Sequence, residues 1–173
     1  LVPLLIRTDY EDILTIGLGT GETANITANF PNMKSSEVVE LSPAQISFSK
    51  TYYTKYNNHI FNDKRFKVIN RDGREYLEHT KKKYDLIISE PSNPWQNGVG
   101  SLFTTEFFKT MSSKLKPKGI ASIWLHLYGL ECSAIESVAL ATARNFKYVA
   151  VFRYETDLLF ISSNENTFTN KKL

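Results

Sequence analysis

Apolar residues arrive along this chain in short blocks set between polar stretches that carry glycine and proline. Asp12-Ile13-Leu14-Thr15-Ile16 predicts a short strand, closed by Gly17. Residues 21–30 have helical character and stop before Pro31, and residues 37–41 predict a second strand. Ser42-Pro43 supplies an N-cap followed by proline at the first helical position, opening a helix to about Tyr53. Residues 57–64 read as polar loop and residues 66–69 as a third strand. Asp72-Gly73-Arg74-Glu75 opens a short helix through His79. Residues 84–89 form a fourth strand, apolar almost throughout, as strands buried on both faces are.

A long loop follows, containing Pro91, Pro94 and Trp95. A helix is expected over 104–115, closed by Pro117 and Gly119, then a fifth strand over 120–125 and a helix over 133–145. Two last strands, 148–153 and 158–162, lie too close for a crossover helix and predict an antiparallel edge hairpin. Strands alternating with helices predict an α/β fold, with a mostly parallel sheet covered on both faces.

With 173 residues the chain reads as one domain, residues 1–173, large enough for a real core. The net charge of +3 gives no argument for nucleic acid, and Lys81-Lys82-Lys83 reads as a solvated run. One cysteine, Cys132, excludes an internal disulfide, fits a reducing compartment and is expected to pack. No apolar run reaches the ~18 residues of a membrane span. The chain opens at Leu1 and its only methionines are Met33 and Met111, so an earlier natural start is expected.

In open α/β sheets, ligands sit beyond the carboxyl ends of the strands. The first tip carries Gly17-Leu18-Gly19-Thr20-Gly21, a turn that lets backbone approach a ligand closely. Glu22 stands where a dinucleotide fingerprint would not place it, which argues against NAD or FAD. The second tip carries Glu40, close to the ~20-residue spacing at which an acid accepts ribose hydroxyls; the alternative is a solvated strand-end acid. The third tip carries Asp72-Gly73, suited to an adenine exocyclic amine, though Asp72 also serves as a helix N-cap. The fourth carries Glu90, where the reacting end of the nucleoside would lie, with Trp95 as a roof; the plainer alternative is a tight loop with a packing tryptophan.

No P-loop pattern is present. A nucleoside site without a phosphate cradle points to S-adenosylmethionine or its decarboxylated form as donor substrate. For either, the protein chiefly aligns a nucleophile and handles its proton.

The stretches ILTIGLGTG, VVELSP, NDKRFKVINRDGREYL, YDLIISEPSNPW, SLFTTEFF and LKPKGIASIW resemble, in order, the nucleoside-binding domain of the spermidine synthase family. The likeness covers roughly residues 4–163 and is nearest to a branch with a SEPSNPW loop, some of whose members are fused to membrane segments. It implies a three-layer, Rossmann-like class I methyltransferase fold and a role in polyamine biosynthesis. It further implies that Gly17, Gly19 and Gly21 face the nucleoside, Glu40 the ribose, and Asp72 and Gly73 the adenine. Glu90 matches a catalytic aspartate that helps deprotonate the attacking amine, Asn93 an aspartate that helps bind polyamine, and Thr20 an aspartate at the aminopropyl end. Asn93 and Thr20 each lack the charge, so the acceptor side departs from the family pattern. The family's small N-terminal β domain is absent from these residues.

His126 and Tyr128 follow the fifth strand and are candidates for the acceptor pocket, against a structural role. His59, His79 and His126 are scattered without metal-ligand spacing, so no metal is expected. His79 reads as a helix-end residue, and Phe103, Phe107 and Phe108 as core. Three functions follow. The first is aminopropyl transfer from decarboxylated S-adenosylmethionine to an amine such as putrescine. The second is methyl transfer from S-adenosylmethionine. The third is a non-catalytic nucleoside-binding module of a larger protein. The expected setting is cytoplasmic, or a cytoplasmic domain of a membrane-fused protein. The expected partners are a small amine, no nucleic acid, a homodimer mate, and a β-domain or membrane-embedded segment in the full-length protein.

Overall fold

The computed structural model describes residues 2–91 and 98–168. Seven strands form one sheet: β1 (Asp12–Ile16), β2 (Ser35–Glu40), β3 (Phe66–Asn70), β4 (Tyr84–Ser89), β5 (Leu115–His126), β6 (Tyr148–Tyr154) and β7 (Asp157–Ser163). Their order is β3-β2-β1-β4-β5-β7-β6. Strands β1 to β5 pair in parallel; β7 is antiparallel to both β5 and β6. The expected α/β fold with an antiparallel edge hairpin is present, and β7 is the inner strand of that hairpin.

The chain moves outward from β1 through β2 to β3, then returns to place β4 on the other side of β1. This reversal leaves a crevice at the carboxyl ends of β1 and β4, the usual ligand position in such sheets. The α-helices among the described residues are α1 (Pro3–Ile6), α2 (Glu22–Ala28), α3 (Pro43–Tyr52), α4 (Thr54–Asn57), α5 (Gly73–His79), α6 (Thr105–Ser113) and α7 (Cys132–Asn145). Alternating side chains of the central strands feed two cores. Leu14, Val39, Ile87 and Ile123 join Phe107, Phe108 and Met111 of α6 (Thr105–Ser113) and Val138 of α7 (Cys132–Asn145). Ile13, Val38, Leu86 and Ile88 join Ala24 and Ala28 of α2 (Glu22–Ala28) on the opposite face. Every residue of β4 is buried, as a strand covered on both sides requires.

Several element limits differ from expectation. The segment 57–64 is not plain loop. A helical turn, Thr54–Asn57, and a 3-10 turn, Ile60–Asn62, precede β3, and Ile60 is buried. Asn57 holds this region by donating from Nδ2 to the carbonyls of Ser49 (2.8 Å) and Thr20 (3.2 Å). Helix α6 ends at Ser113 rather than 115, and β5 runs through Pro117. Proline is tolerated there because β5 begins irregularly, with a register shift against β4 and Lys118 at φ 60°. The second strand starts two residues earlier than its apolar run, since Ser35 and Ser36 pair with Asp12 and Ile13. Cys132 is exposed at the start of α7, correcting the expectation that it packs. His79 ends its helix, with Nδ1 2.8 Å from the Glu75 carbonyl, and Phe107 and Phe108 are fully buried.

Candidate active site

A cleft of about 560 Å³ opens over the carboxyl ends of β1, β2 and β4 and includes Asp72 and Gly73 beyond β3. That volume suits a small-molecule ligand. Its floor depends on the glycine turn. Gly17 adopts φ 95°, and a Cβ there would lie 2.5 Å from the Glu90 carbonyl oxygen. In return, Glu90 N–H donates to the Ile16 carbonyl (3.0 Å). Glycine at 17 is therefore what lets the tip of β4 dock against the tip of β1. Gly19, at φ 52°, has open space where a side chain would project. Gly73 packs so closely on Ile16 that a Cβ would sit 2.5 Å from its Cγ2.

The sequence-derived candidates divide into two groups. Gly17, Gly19, Glu40, Asp72, Gly73 and Glu90 converge on the cleft. Gly21 and Thr20 do not line it. Gly21 is the left-handed N-cap of α2, and the Thr20 carbonyl is tied to Ser49 Oγ (2.9 Å) and Asn57. His126 ends β5 and bonds to Asp157 rather than lining the cleft; Tyr128 is exposed beside it. Asn93 and Trp95 lie outside the described residues. Among the described residues, no group of three or more His, Cys, Asp or Glu is placed to hold a metal.

The acids at this rim differ in their environment. Glu40 Oε2 accepts from Leu18 N–H (3.0 Å) and Oε1 from Ser42 N–H (2.8 Å), so one carboxylate fastens two loops together. Asp72 caps α5 (Gly73–His79) by accepting from Glu75 N–H (2.9 Å), as its N-cap alternative required, while still lining the cleft. Among the described residues, Glu90 accepts a single side-chain hydrogen bond, from Thr23 Oγ1 (2.7 Å). Burial raises its proton affinity above that of an ordinary carboxylate, and the Thr23 hydrogen bond only partly opposes this. Among the described residues none of the three forms a salt bridge. Among the described residues the rim is thus an acidic edge held by neutral donors, suited to a positively charged ligand.

Several lining residues escaped the sequence reading. Leu41, exposed at the lip, offers an apolar surface, and Gln45 Nε2 bonds the Gly19 carbonyl (2.6 Å). Thr23 sits in the first turn of α2, facing Glu90. Trp124 lines the cleft two residues before His126, on the same face of β5. Strand alternation was the available signal for Trp124.

A family model, the spermine/spermidine synthase domain, matches residues 1–171. The chain belongs to the spermine/spermidine synthase family. The polyamine aminopropyltransferase of Escherichia fergusonii is 34% identical over 119 residues, 69% of this chain and 41% of that protein. That of Sodalis glossinidius is 31% identical over the same share. The chain thus spans about two fifths of the length of these curated relatives.

Among solved structures, a spermidine synthase in complex with the transition-state analogue AdoDATO superposes with a TM-score of 0.86 at 20% identity. The match covers 96% of this chain and 59% of that one. Human methyltransferase-like protein 13 in complex with SAH gives 0.75 at 19% identity, covering 98% and 78%. These likenesses establish the class I methyltransferase-like fold.

Proposed function

We propose that this chain is the donor-binding, catalytic domain of an aminopropyltransferase acting in the cytoplasm. Its donor is decarboxylated S-adenosylmethionine and its acceptor a small amine such as putrescine. The carrying observation is the placement of Glu90. It is docked against the glycine turn, supported by one hydroxyl, and lines both the large cleft and a second pocket beyond it. The adenosyl part of the donor lies in the cleft, with Glu40 toward the ribose and Asp72 with Gly73 toward the adenine.

In this reading the neutral amine nitrogen attacks the aminopropyl carbon attached to the sulfonium. The C–N bond forms as the C–S bond breaks. The electron pair goes to sulfur, leaving methylthioadenosine, a neutral thioether that departs without acid assistance. The nitrogen becomes cationic, and Glu90 takes its surplus proton before passing it to water. Raised proton affinity makes Glu90 a better acceptor than a fully solvated carboxylate. The acidic rim stabilises positive charge on donor and product.

The test is product analysis by mass spectrometry after incubation with putrescine and either donor. Spermidine and methylthioadenosine formed from the decarboxylated donor support the reading. A methylated product from intact S-adenosylmethionine, with no aminopropyl product, replaces it with methyl transfer.

A further inference from the structure

Glu90 is one methylene longer than the aspartate it matches, so its carboxylate has one more bond to turn about. A base on a longer arm meets its proton reliably only where its head is held. The backbone of Glu90 is fixed by its N–H donating to the Ile16 carbonyl (3.0 Å). Its head is fixed separately. Thr23 Oγ1 donates to Oε2 at 2.7 Å, the short range of a hydroxyl bonded to a charged oxygen. Oε1 accepts no hydrogen bond from the described residues. Thr23 meets Glu90 from the side of α2 rather than across the ligand space.

Thr23 is itself placed by a buried polar cluster under the first turn of α2. The Thr20 carbonyl accepts from Ser49 Oγ (2.9 Å) and Asn57 Nδ2 (3.2 Å), and Asn57 Nδ2 also donates to the Ser49 carbonyl (2.8 Å). Ser49 and Asn57 are fully buried. Gly21, the N-cap of α2, packs so closely on them that a Cβ would lie 2.9 Å from Asn57 Cβ and 3.1 Å from Ser49 Oγ. Polar side chains taken out of water need their hydrogen bonds, and these bonds anchor the chain just before Thr23.

We propose that Thr23 is a positioning residue for Glu90: its hydroxyl occupies Oε2 and leaves Oε1 as the one oxygen that accepts the amine proton. The proposal rests on the reading of Glu90 as the base. A hydroxyl holds the carboxylate without cancelling its charge, as a lysine or arginine there would. The same bond partly opposes the rise in proton affinity that burial causes, so Glu90 is ionised over a wider range of pH with it than without it. The other ionisable side chains facing Glu90 among the described residues are Asp157 and Tyr154 across the second pocket and Glu40 and Asp72 across the cleft. Glu22, beside Thr23 on α2, is exposed. None of these changes when Thr23 is replaced, so a substitution there isolates the hydroxyl.

The experiment compares wild type, Thr23→Val and Thr23→Ser in the full-length protein. Valine keeps the shape and removes the hydroxyl; serine keeps the hydroxyl. The Glu90 carboxyl is titrated by carbon NMR, its signal identified by its loss in Glu90→Gln. The pH dependence of kcat/KM is recorded with the decarboxylated donor and putrescine. Thr23→Val should raise the Glu90 pKa and move the acid limb of the kcat/KM profile to higher pH. It should lower kcat about tenfold or more while changing the donor KM less than about twofold. Thr23→Ser should restore the wild-type titration and most of kcat. An unchanged Glu90 titration in Thr23→Val, or an equal rate loss in the valine and serine variants, overturns the proposal. If the titration moves and serine restores it, but Glu90→Gln turns over as fast as wild type, the hold of Thr23 on the carboxylate stands and the base assignment fails.

Discussion

The two ends of the sheet treat their carboxylates in opposite ways. At the amino end, Asp12 and Asp85 share Lys116, and Glu37 is 3% exposed yet accepts from Lys82 Nζ (2.6 Å), Tyr84 OH (2.8 Å) and Tyr76 OH (2.9 Å). Burial pushes the Glu37 and Asp12 carboxyls up, but their hydrogen bonds and cationic partners win and hold both below the ordinary range. At the carboxyl end, Glu90 has one hydroxyl for a partner among the described residues, and burial wins. One end uses paired acids to hold strands together. The other holds its acids with neutral donors alone among the described residues, where a cationic donor and amine would arrive. Three carboxylates gathered at one rim, with no salt bridge among the described residues, make that rim the candidate working end.

The contrast can be broken most severely at Glu90. Glu90→Gln should lower kcat by about 10²- to 10⁴-fold with little change in methylthioadenosine affinity, measured by steady-state kinetics and calorimetry. The same variant should melt higher than wild type at neutral pH. A carboxyl whose folded pKa is raised binds more protons in the folded state. Wild-type stability therefore falls as pH rises from the unfolded value of about 4.3 through the folded one. The glutamine variant lacks this fall, and thermal melts across pH read the difference.

The next effect is at the opposite end and opposite in kind. Glu37→Ala should cost about 2–3 kcal/mol in denaturant unfolding, since it strands the hydroxyls of Tyr84 and Tyr76. Lys82 is largely exposed, which keeps the loss below that of a fully buried ion pair. Donor affinity should not change. The folded pKa values of Glu37 and Asp12 are depressed. Their stabilisation is therefore complete above the unfolded values and lost as pH falls through the folded ones, and Glu37→Ala should flatten that acid limb.

A smaller effect separates binding from folding. Glu40→Gln should weaken methylthioadenosine binding about tenfold but cost only about 1 kcal/mol of stability, because an amide oxygen can still accept from Leu18 or Ser42. Lys116→Met leaves Asp12 and the buried Asp85 without their shared cation; it should cost about 1–2 kcal/mol and leave donor binding intact.

The donor side was legible in the sequence because its parts are local. Each acid follows its own apolar run directly, and Gly17, Gly19 and Gly73 sit in turns whose position the runs define. Glu90 could be placed at a tip; its contact with Thr23 could not, because that depends on how α2 lies across β4. The edge-hairpin side was less legible because it is built by pairing. An edge hairpin was expected, but only the register of β5, β7 and β6 aligns Trp124, Asp157 and Tyr154 on one face. His126 and Tyr128 stand out in the sequence by following the strand; pairing adds that His126 bonds Asp157 and that Trp124, two residues earlier, lines both pockets. Pro117 misled for a related reason: it reads as a helix stop and instead sits in the irregular start of β5.

The acidic rim is the central claim, and the most direct measurement is calorimetric titration of the protein with decarboxylated and intact S-adenosylmethionine. The added carboxylate of the intact form would face Glu90 and its neighbours. The account predicts tighter binding of the decarboxylated donor by about tenfold or more, with the preference shrinking in Glu90→Gln. Tighter binding of intact S-adenosylmethionine, in wild type at neutral pH, would contradict it.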